Sequence, residues 1–320
     1  MTAHLSVTAY DVALAGLLRC AEPPVPAPLR DFVSGAGAEL AWEAIRHRAA
    51  PPDVMCVVSP RLGEQTPAEL ESAALLDLSR ADAAGARIVG PQHPEWPAEW
   101  WQALDWTRAY DDCPHMAGPL ALYCRGLPLP EGPERCVSVV GSRAATSYGA
   151  RIAGGIAADI AGAGRVVVSG AAFGIDAAAH RGALHVASGS GVVRDDGARD
   201  AAGVTIAVLS CGIDRSYPAA HRGLIDAVAV GGTIVTEYPP GFTPMRHRFL
   251  VRNRLIAALG GATVVVEAGR RSGSLNTATT AANLGRQVCA VPGPVTSALS
   301  LGCHDLVRDG RAGLITGWAD

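Results

Sequence analysis

Three stretches of this sequence set glycine and serine, two of them with arginine, in an order that suits an anion. Gly141-Ser142-Arg143 closes the apolar run 137–141, Ser169-Gly170 closes 165–169, and Arg271-Ser272-Gly273 follows 262–267. Glycine admits close approach to the backbone, serine donates a hydrogen bond, and a guanidinium bridges two phosphate oxygens. Each stretch leads into a helical pattern, and the first turn of a helix offers unpaired amides and the positive end of its dipole. A tight turn would use the same glycine and serine. The neighbouring arginines favour the anion.

A fourth stretch, "PMRHRFLVRNRLIAALG", crowds Arg246, Arg248, Arg252 and Arg254 with His247 and Asn253 into nine residues. On a helix Arg248 and Arg252 stand four apart, where like charges repel by a few tenths of a kcal/mol. No acidic residue occurs between 238 and 266 to relieve them. The pattern fits either a solvated face or a polyanion partner, and the absence of local counter-charge favours the polyanion. One nucleotide needs few such contacts; a strand of phosphates uses them all. Other groups carry weaker signals. Asp176 and His180, four apart, suit acid/base work, a metal fragment, or a helix held to its neighbouring loop. Phe173, between glycines at a loop tip, can stack a base or simply pack. Cys211 has no base at a diagnostic spacing and reads as a small residue that permits close approach.

The elements that must position these groups are legible from periodicity. Residues 1–83 are alanine-rich and helical in pattern, with a Thr66-x-x-Glu69 capping box and proline pairs at 23–24 and 51–52. From residue 84 onward apolar strands alternate with amphipathic helices. The strands are expected at 137–141, 165–169, 204–210, 233–237, 262–267, 287–291 and 313–316, the helices at 147–162, 175–185, 218–230, 250–259 and 274–285. Continuous apolar strands such as "TVVVEA" belong to a sheet covered on both faces. The expected fold is therefore α/β: a doubly wound, mostly parallel Rossmann-like sheet at 84–320, preceded by a small helical domain at 1–83. Such a sheet binds its ligand at the carboxyl ends of its strands. Residues 186–203 read as an exposed insertion.

Composition narrows the chemistry. All 27 basic residues among the 320 are arginine, so lysine Schiff bases, lysine general bases and Walker-type lysines are excluded. The formal net charge of −3 gives no whole-chain attraction to nucleic acid, so any such site must be a local arginine cluster. The eight cysteines are scattered without zinc or redox spacing. They read as reduced thiols of a cytoplasmic protein, with no metal or cofactor implied. No apolar run reaches the ~20 residues of a membrane span, and the amino-terminal residues lack a signal-peptide pattern.

The segments "VGSRAATSYG", "VVSGAAFGIDAAAHRGAL", "TIAVLSCGIDRSYPAAHR", "TEYPPG", "RNRLIAAL", "VVVEAGRRSGSLNTA" and "AVPGPVTSALSLGCHDLVRDG" resemble, in order, those of the DprA (Smf) family of bacterial DNA-processing proteins. "GARIVGPQHPEWPAEW" and "PLALYCRG" resemble it as well. The resemblance implies an extended Rossmann fold, binding of single-stranded DNA, a homodimer, loading of the RecA recombinase in natural transformation, and no catalysis. It places phosphate contacts at Gly141, Ser142, Arg143, Ser169, Gly170, Arg252, Asn253, Arg254, Arg271, Ser272 and Gly273. The sequence departs from the family pattern at Val204, where a DNA-contacting lysine is usual, and at Phe173, where a basic residue is common. Many members carry a further winged-helix-like domain after the region that ends here at Asp320. The competing reading is a nucleotide binder or nucleotide N-glycosidase on a similar fold, whose "PGGxGTxxE" signature the sequence lacks. A scaffold acting through protein partners alone is a third.

Overall fold

The computed structural model describes residues 7–110, 116–189 and 203–320. Its amino-terminal part is five helices: α1 (Ala9–Cys20), α2 (Ala27–Ala36), α3 (Ala38–Arg46), α4 (Pro52–Leu62) and α5 (Pro67–Ala83). The Thr66/Glu69 box forms as expected: Thr66 Oγ1 accepts from the Glu69 amide while the Glu69 carboxylate accepts from Thr66 N. A second box, Thr8 with Asp11, opens α1. Proline starts α4 and α5, where the missing N–H costs nothing. Helices α1 and α3 meet at Gly16, where a Cβ would fall 2.6 Å from the Trp42 ring.

Nine strands follow: β1 (Ala86–Val89), β2 (Leu122–Gly126), β3 (Cys136–Gly141), β4 (Val166–Ser169), β5 (Thr205–Val208), β6 (Thr233–Thr236), β7 (Ala262–Val266), β8 (Gln287–Ala290) and β9 (Gly313–Leu314). They form one sheet in the order β1-β2-β6-β5-β4-β3-β7-β8-β9. From β6 to β9 every pairing is parallel, and β2 joins β6 and β1 antiparallel. The seven expected strands are present within a few residues of the expected ends. Strands β1 and β2 were not legible as such, because "ARIV" and "LYCRG" are short and carry arginines. The intervening helices are α6 (Ala98–Tyr110), α7 (Ser147–Gly162), α8 (Ile175–Gly189), α9 (Arg222–Gly231), α10 (Arg246–Leu259), α11 (Gly273–Asn283) and α12 (Leu301–Arg308). Most of the expected insertion, 190–202, lies outside the described residues.

The apolar strands serve two cores at once. Val137 and Val139 of β3, with Val167 of β4, pack under α7 and α8. Cys136, Val140, Val166 and Val168 point to the other face, under α6, α10, α11 and α12. Successive side chains of a strand alternate faces, so a sheet covered on both sides needs no polar positions. The amino-terminal helices pack in a third cluster with Ala207, Ile225, Val228 and Ile234, against β5, β6 and α9. Chain order reverses between β3 and β7, whose carboxyl ends pair Gly141 with Val266. That is the crevice of a doubly wound sheet. A Cβ on Gly141 would fall 1.9 Å from the Val266 carbonyl oxygen, so only glycine lets the two strand ends close there.

Candidate nucleic-acid interface

A cavity of about 810 Å³ opens at this crevice. Its lining brings together Gly141, Ser142, Arg143, Arg246, Arg252, Asn253, Arg271, Ser272 and Gly273, nine of the residues singled out in the sequence. They come from the end of β3, from α10, and from the turn that leads from β7 into α11. The Gly-Ser-Arg turn is wired in place. Ser142 N donates to the Glu267 carbonyl (2.6 Å), its carbonyl accepts from Ile175 N (3.1 Å), and its hydroxyl accepts from Ala144 N (3.1 Å). Ser272 caps α11, its hydroxyl 2.7 Å from that of Ser274. Asn253 Nδ2 donates to the Gly273 carbonyl, tying α10 to that helix start. Arg143, Arg246 and Arg271 are exposed at the rim.

Aromatic faces stand among the guanidiniums. Arg143 lies over the Phe249 ring, 4.8 Å from its centroid, and Phe249 is 5.4 Å from Tyr217. Phe173, 47% exposed, sets its ring edge-on to His221 at 4.6 Å. It shares a smaller adjoining hollow with Arg143, Gly170, Tyr217 and Phe249. Tyr217 and Leu250 also leave large apolar surface exposed on the rim of the main cavity. Sequence reasoning passed over Tyr217 and Phe249. The signal was present: an aromatic inside an arginine run, and a second beside the proline of "RSYP", are what a base-stacking site would use.

Several expectations are corrected by the geometry. The start of α7 is not free for an anion. Glu267 spans it, accepting from Thr146 N at 2.8 Å and from the Thr146 hydroxyl, and a Cβ on Gly149 would fall 2.2 Å from Glu267 Oε2. The helix end already holds a carboxylate. The arginine run is also divided. Arg248 is buried between the Tyr238 and Phe242 rings and pairs with Glu22, Nε to Oε1 at 2.5 Å. Arg254, 3% exposed, makes a bidentate pair with Glu237 (2.7 Å at both oxygens) and donates from Nε to the Ala117 carbonyl. Neither guanidinium is available to a phosphate. Their counter-charges lie just outside the acid-free window or far off in sequence, which a local reading does not reach. Ser169 is likewise spent, its hydroxyl donating to the Val139 carbonyl at 2.7 Å. Gly170 makes room for Arg252, whose Nη1 would lie 2.0 Å from a Cβ there.

Arg252 itself lines the cavity from below, almost wholly buried, donating from Nη1 to the Val208 carbonyl at 2.6 Å while its Nε has no partner. Burial lowers its pKa, and the nearby Asp176 carboxylate opposes that. Burial raises the pKa of Asp176 in turn, offset in part by Arg252. His180 is no partner for Asp176. It faces Thr205 Oγ1 at 2.8 Å, and burial, with help from Arg252, pushes it down to about 3. Asp176 ties α8 to the preceding loop through Ala172 N, and His180 ties it to β5 through Thr205. Burial pushes the Cys211 thiol up to about 11, so it is no nucleophile at neutral pH. Val204 is buried at the amino end of β5, the end of the sheet away from the cavity. The charge missing there is not missing from this site.

The family model for DNA recombination-mediator protein A matches residues 87–320. A Mycobacterium tuberculosis protein that bears the DprA name is 44% identical over 307 residues, covering 95% of this chain and 72% of that one. The crystal structure of DNA processing protein A from Streptococcus pneumoniae superposes with a TM-score of 0.65 at 28% identity, over 98% of this chain and 97% of that one. A structure of DNA processing protein A from Helicobacter pylori, described for its single-stranded DNA binding mode, gives a TM-score of 0.52 at 28% identity. That match covers 63% of this chain and 84% of the other. No described helix is long and apolar enough to cross a membrane.

Proposed function

The chain belongs to the DNA recombination-mediator protein A family, and on that premise we propose that the crevice cavity binds single-stranded DNA. One observation carries this reading: exposed guanidiniums and aromatic faces line the same opening. Arginines neutralise backbone phosphates, whereas exposed aromatic faces offer stacking surface to a base whose own face is free. A duplex hides those faces and a mononucleotide needs one phosphate contact. Arg143, Arg246 and Arg271 are the phosphate contacts, with Arg252 beneath them, and Phe249, Tyr217 and Phe173 are the stacking surfaces. The protein acts as a binder rather than a catalyst, since Asp176, His180, Cys211 and Glu267 are buried and engaged. That also weighs against the N-glycosidase reading.

The region 1–83 is a helical domain that braces α10 through Glu22, and 84–320 is the DNA-binding domain. Homodimer formation, RecA loading and a cytoplasmic role in transformation extend the same reading from the family. The test is fluorescence anisotropy of a labelled oligo-dT over a range of salt. Three exposed contacts predict a slope of log affinity on log salt near −2, at about −0.7 per phosphate. A flat salt dependence, or equal affinity for a duplex of the same length, would overturn the reading.

A further inference from the structure

A second hollow, of about 450 Å³, lies at the amino ends of β3, β7 and β8, the opposite end of these strands from the arginine cavity. It falls within the size range of small-molecule sites. Its floor is apolar, built by Val137, Ile156, Val264 and Ile315. Trp318 forms a wall, its ring centroid 5.8 Å from the Arg165 guanidinium carbon.

Two of the four charges at the rim are already engaged. Arg165 donates to the Glu134 carbonyl. Asp320 accepts from the amide and hydroxyl of Thr316 and from the Gly317 amide. The Glu134 carboxylate folds back over Gly132, where a Cβ would fall 2.1 Å from its Oε1. Arg286 differs. Its Nε is buried without a hydrogen-bond partner, and burial lowers its pKa with only the charge of Glu134 to oppose it. A half-buried guanidinium with its Nε shielded from water carries a desolvation cost that a bound anion offsets.

We propose that this hollow binds a small carboxylate with an apolar body, an acyl or aryl acid whose carboxylate meets Arg286 and whose hydrocarbon lies on the floor against Trp318. A single unpaired guanidinium suits a planar monoanion, which it meets bidentately. A phosphate dianion would bring a second charge toward Glu134 and Asp320. The hollow shares no lining residue with the arginine cavity.

The test uses the full chain labelled with 5-fluorotryptophan, followed by fluorine NMR, with Trp318→Phe assigning one of the six tryptophan resonances. Sodium octanoate and 3-phenylpropionate are titrated separately, with octanol as the uncharged comparison. The Trp318 resonance should shift saturably with at least one of the two acids. In Arg286→Gln that affinity should drop by about tenfold or more, the loss of one charged hydrogen bond, while the other five resonances stay in place and report an intact fold. Octanol should bind correspondingly weakly. No saturable shift with either acid, equal affinity in Arg286→Gln, or octanol binding as well as octanoate would each overturn the proposal.

Discussion

Arg143→Ala separates the electrostatic part of the crevice from the fold that carries it. Arg143 is exposed, and its guanidinium lies over the Phe249 ring. Losing that contact costs about 0.5–1 kcal/mol at an exposed position, which for a protein of this size moves Tm by only a few degrees at roughly 2–4 °C per kcal/mol. Losing a charge-assisted contact to a phosphate costs about 1.5–3 kcal/mol, or roughly tenfold to a hundredfold in affinity at ~1.4 kcal/mol per decade. The salt slope should fall by about 0.7, from near −2 to near −1.4, as one phosphate fewer releases its counterions. Oligo-dT anisotropy at four or five salt concentrations, with thermal denaturation of the same samples, reads all three quantities. Unchanged affinity and slope would refute the placement of a phosphate at the Gly-Ser-Arg turn. A large drop in Tm would refute the claim that Arg143 stands outside the fold's support.

Phe249→Leu should weaken oligo-dT binding by about 1–3 kcal/mol, the value of one base stack, and leave the salt slope unchanged because no charge is removed; a changed slope would argue against stacking. Arg254→Met should lower Tm sharply, because the Glu237 carboxylate, 1% exposed, would be left buried without its partner, a cost of about 3–5 kcal/mol. Arg254→Met with Glu237→Gln should recover much of that Tm, and failure to recover would show that the pair is not what Arg254 serves. Glu22 accepts from Arg248, Arg61 and His247, and its hydrogen bonds and ion pairs hold its carboxyl below the ordinary carboxylate range despite partial burial. A carboxyl lowered in the folded state contributes stability above its ordinary pKa and loses it as pH falls through the lowered value. Glu22→Gln should therefore flatten the decline of Tm between about pH 5 and 3, and an unaltered acid limb in a pH series of melts would count against this brace.

The parallel half of the fold was legible because its strands obey a simple rule: a strand covered on both faces reads as a nearly continuous apolar run, broken at most by a small hydroxyl. Val137 to Val140 and Thr263 to Val266 announce themselves as runs, and the glycine-containing turns after them mark the carboxyl ends. Strands β1 and β2 escaped because Arg87 and Arg125 interrupt their apolar sequences. Arg87 is tied to Glu95 and Arg125 to Asp226, partners that make the arginines tolerable in a sheet and that strand periodicity does not reveal. The same limit governs the site. Gly141, Ser142 and Arg143 close β3 while Arg271, Ser272 and Gly273 open the helix that follows β7, and such strand-to-helix turns are local features.

The arginine run on α10 was harder, since its meaning depends on partners elsewhere. Four arginines in nine residues look alike in sequence, but helical geometry sends them in different directions. Arg246 faces the cavity, Arg248 turns to Glu22 of the amino-terminal helices, Arg252 passes beneath Gly170, and Arg254 enters the core to meet Glu237. Two of the four neutralise acids that lie outside the window searched for counter-charge. Their burial explains how a run of like charges folds as one helix: Arg248, the member of the i,i+4 pair nearer solvent, is neutralised by Glu22, and Arg252 sits beside Asp176. The charge left for a phosphate is therefore smaller than the sequence suggests but placed at one opening. A slope near −2, rather than the slope of about −4 that all four α10 arginines with Arg143 and Arg271 would give at about −0.7 each, is the quantity that separates the two accounts.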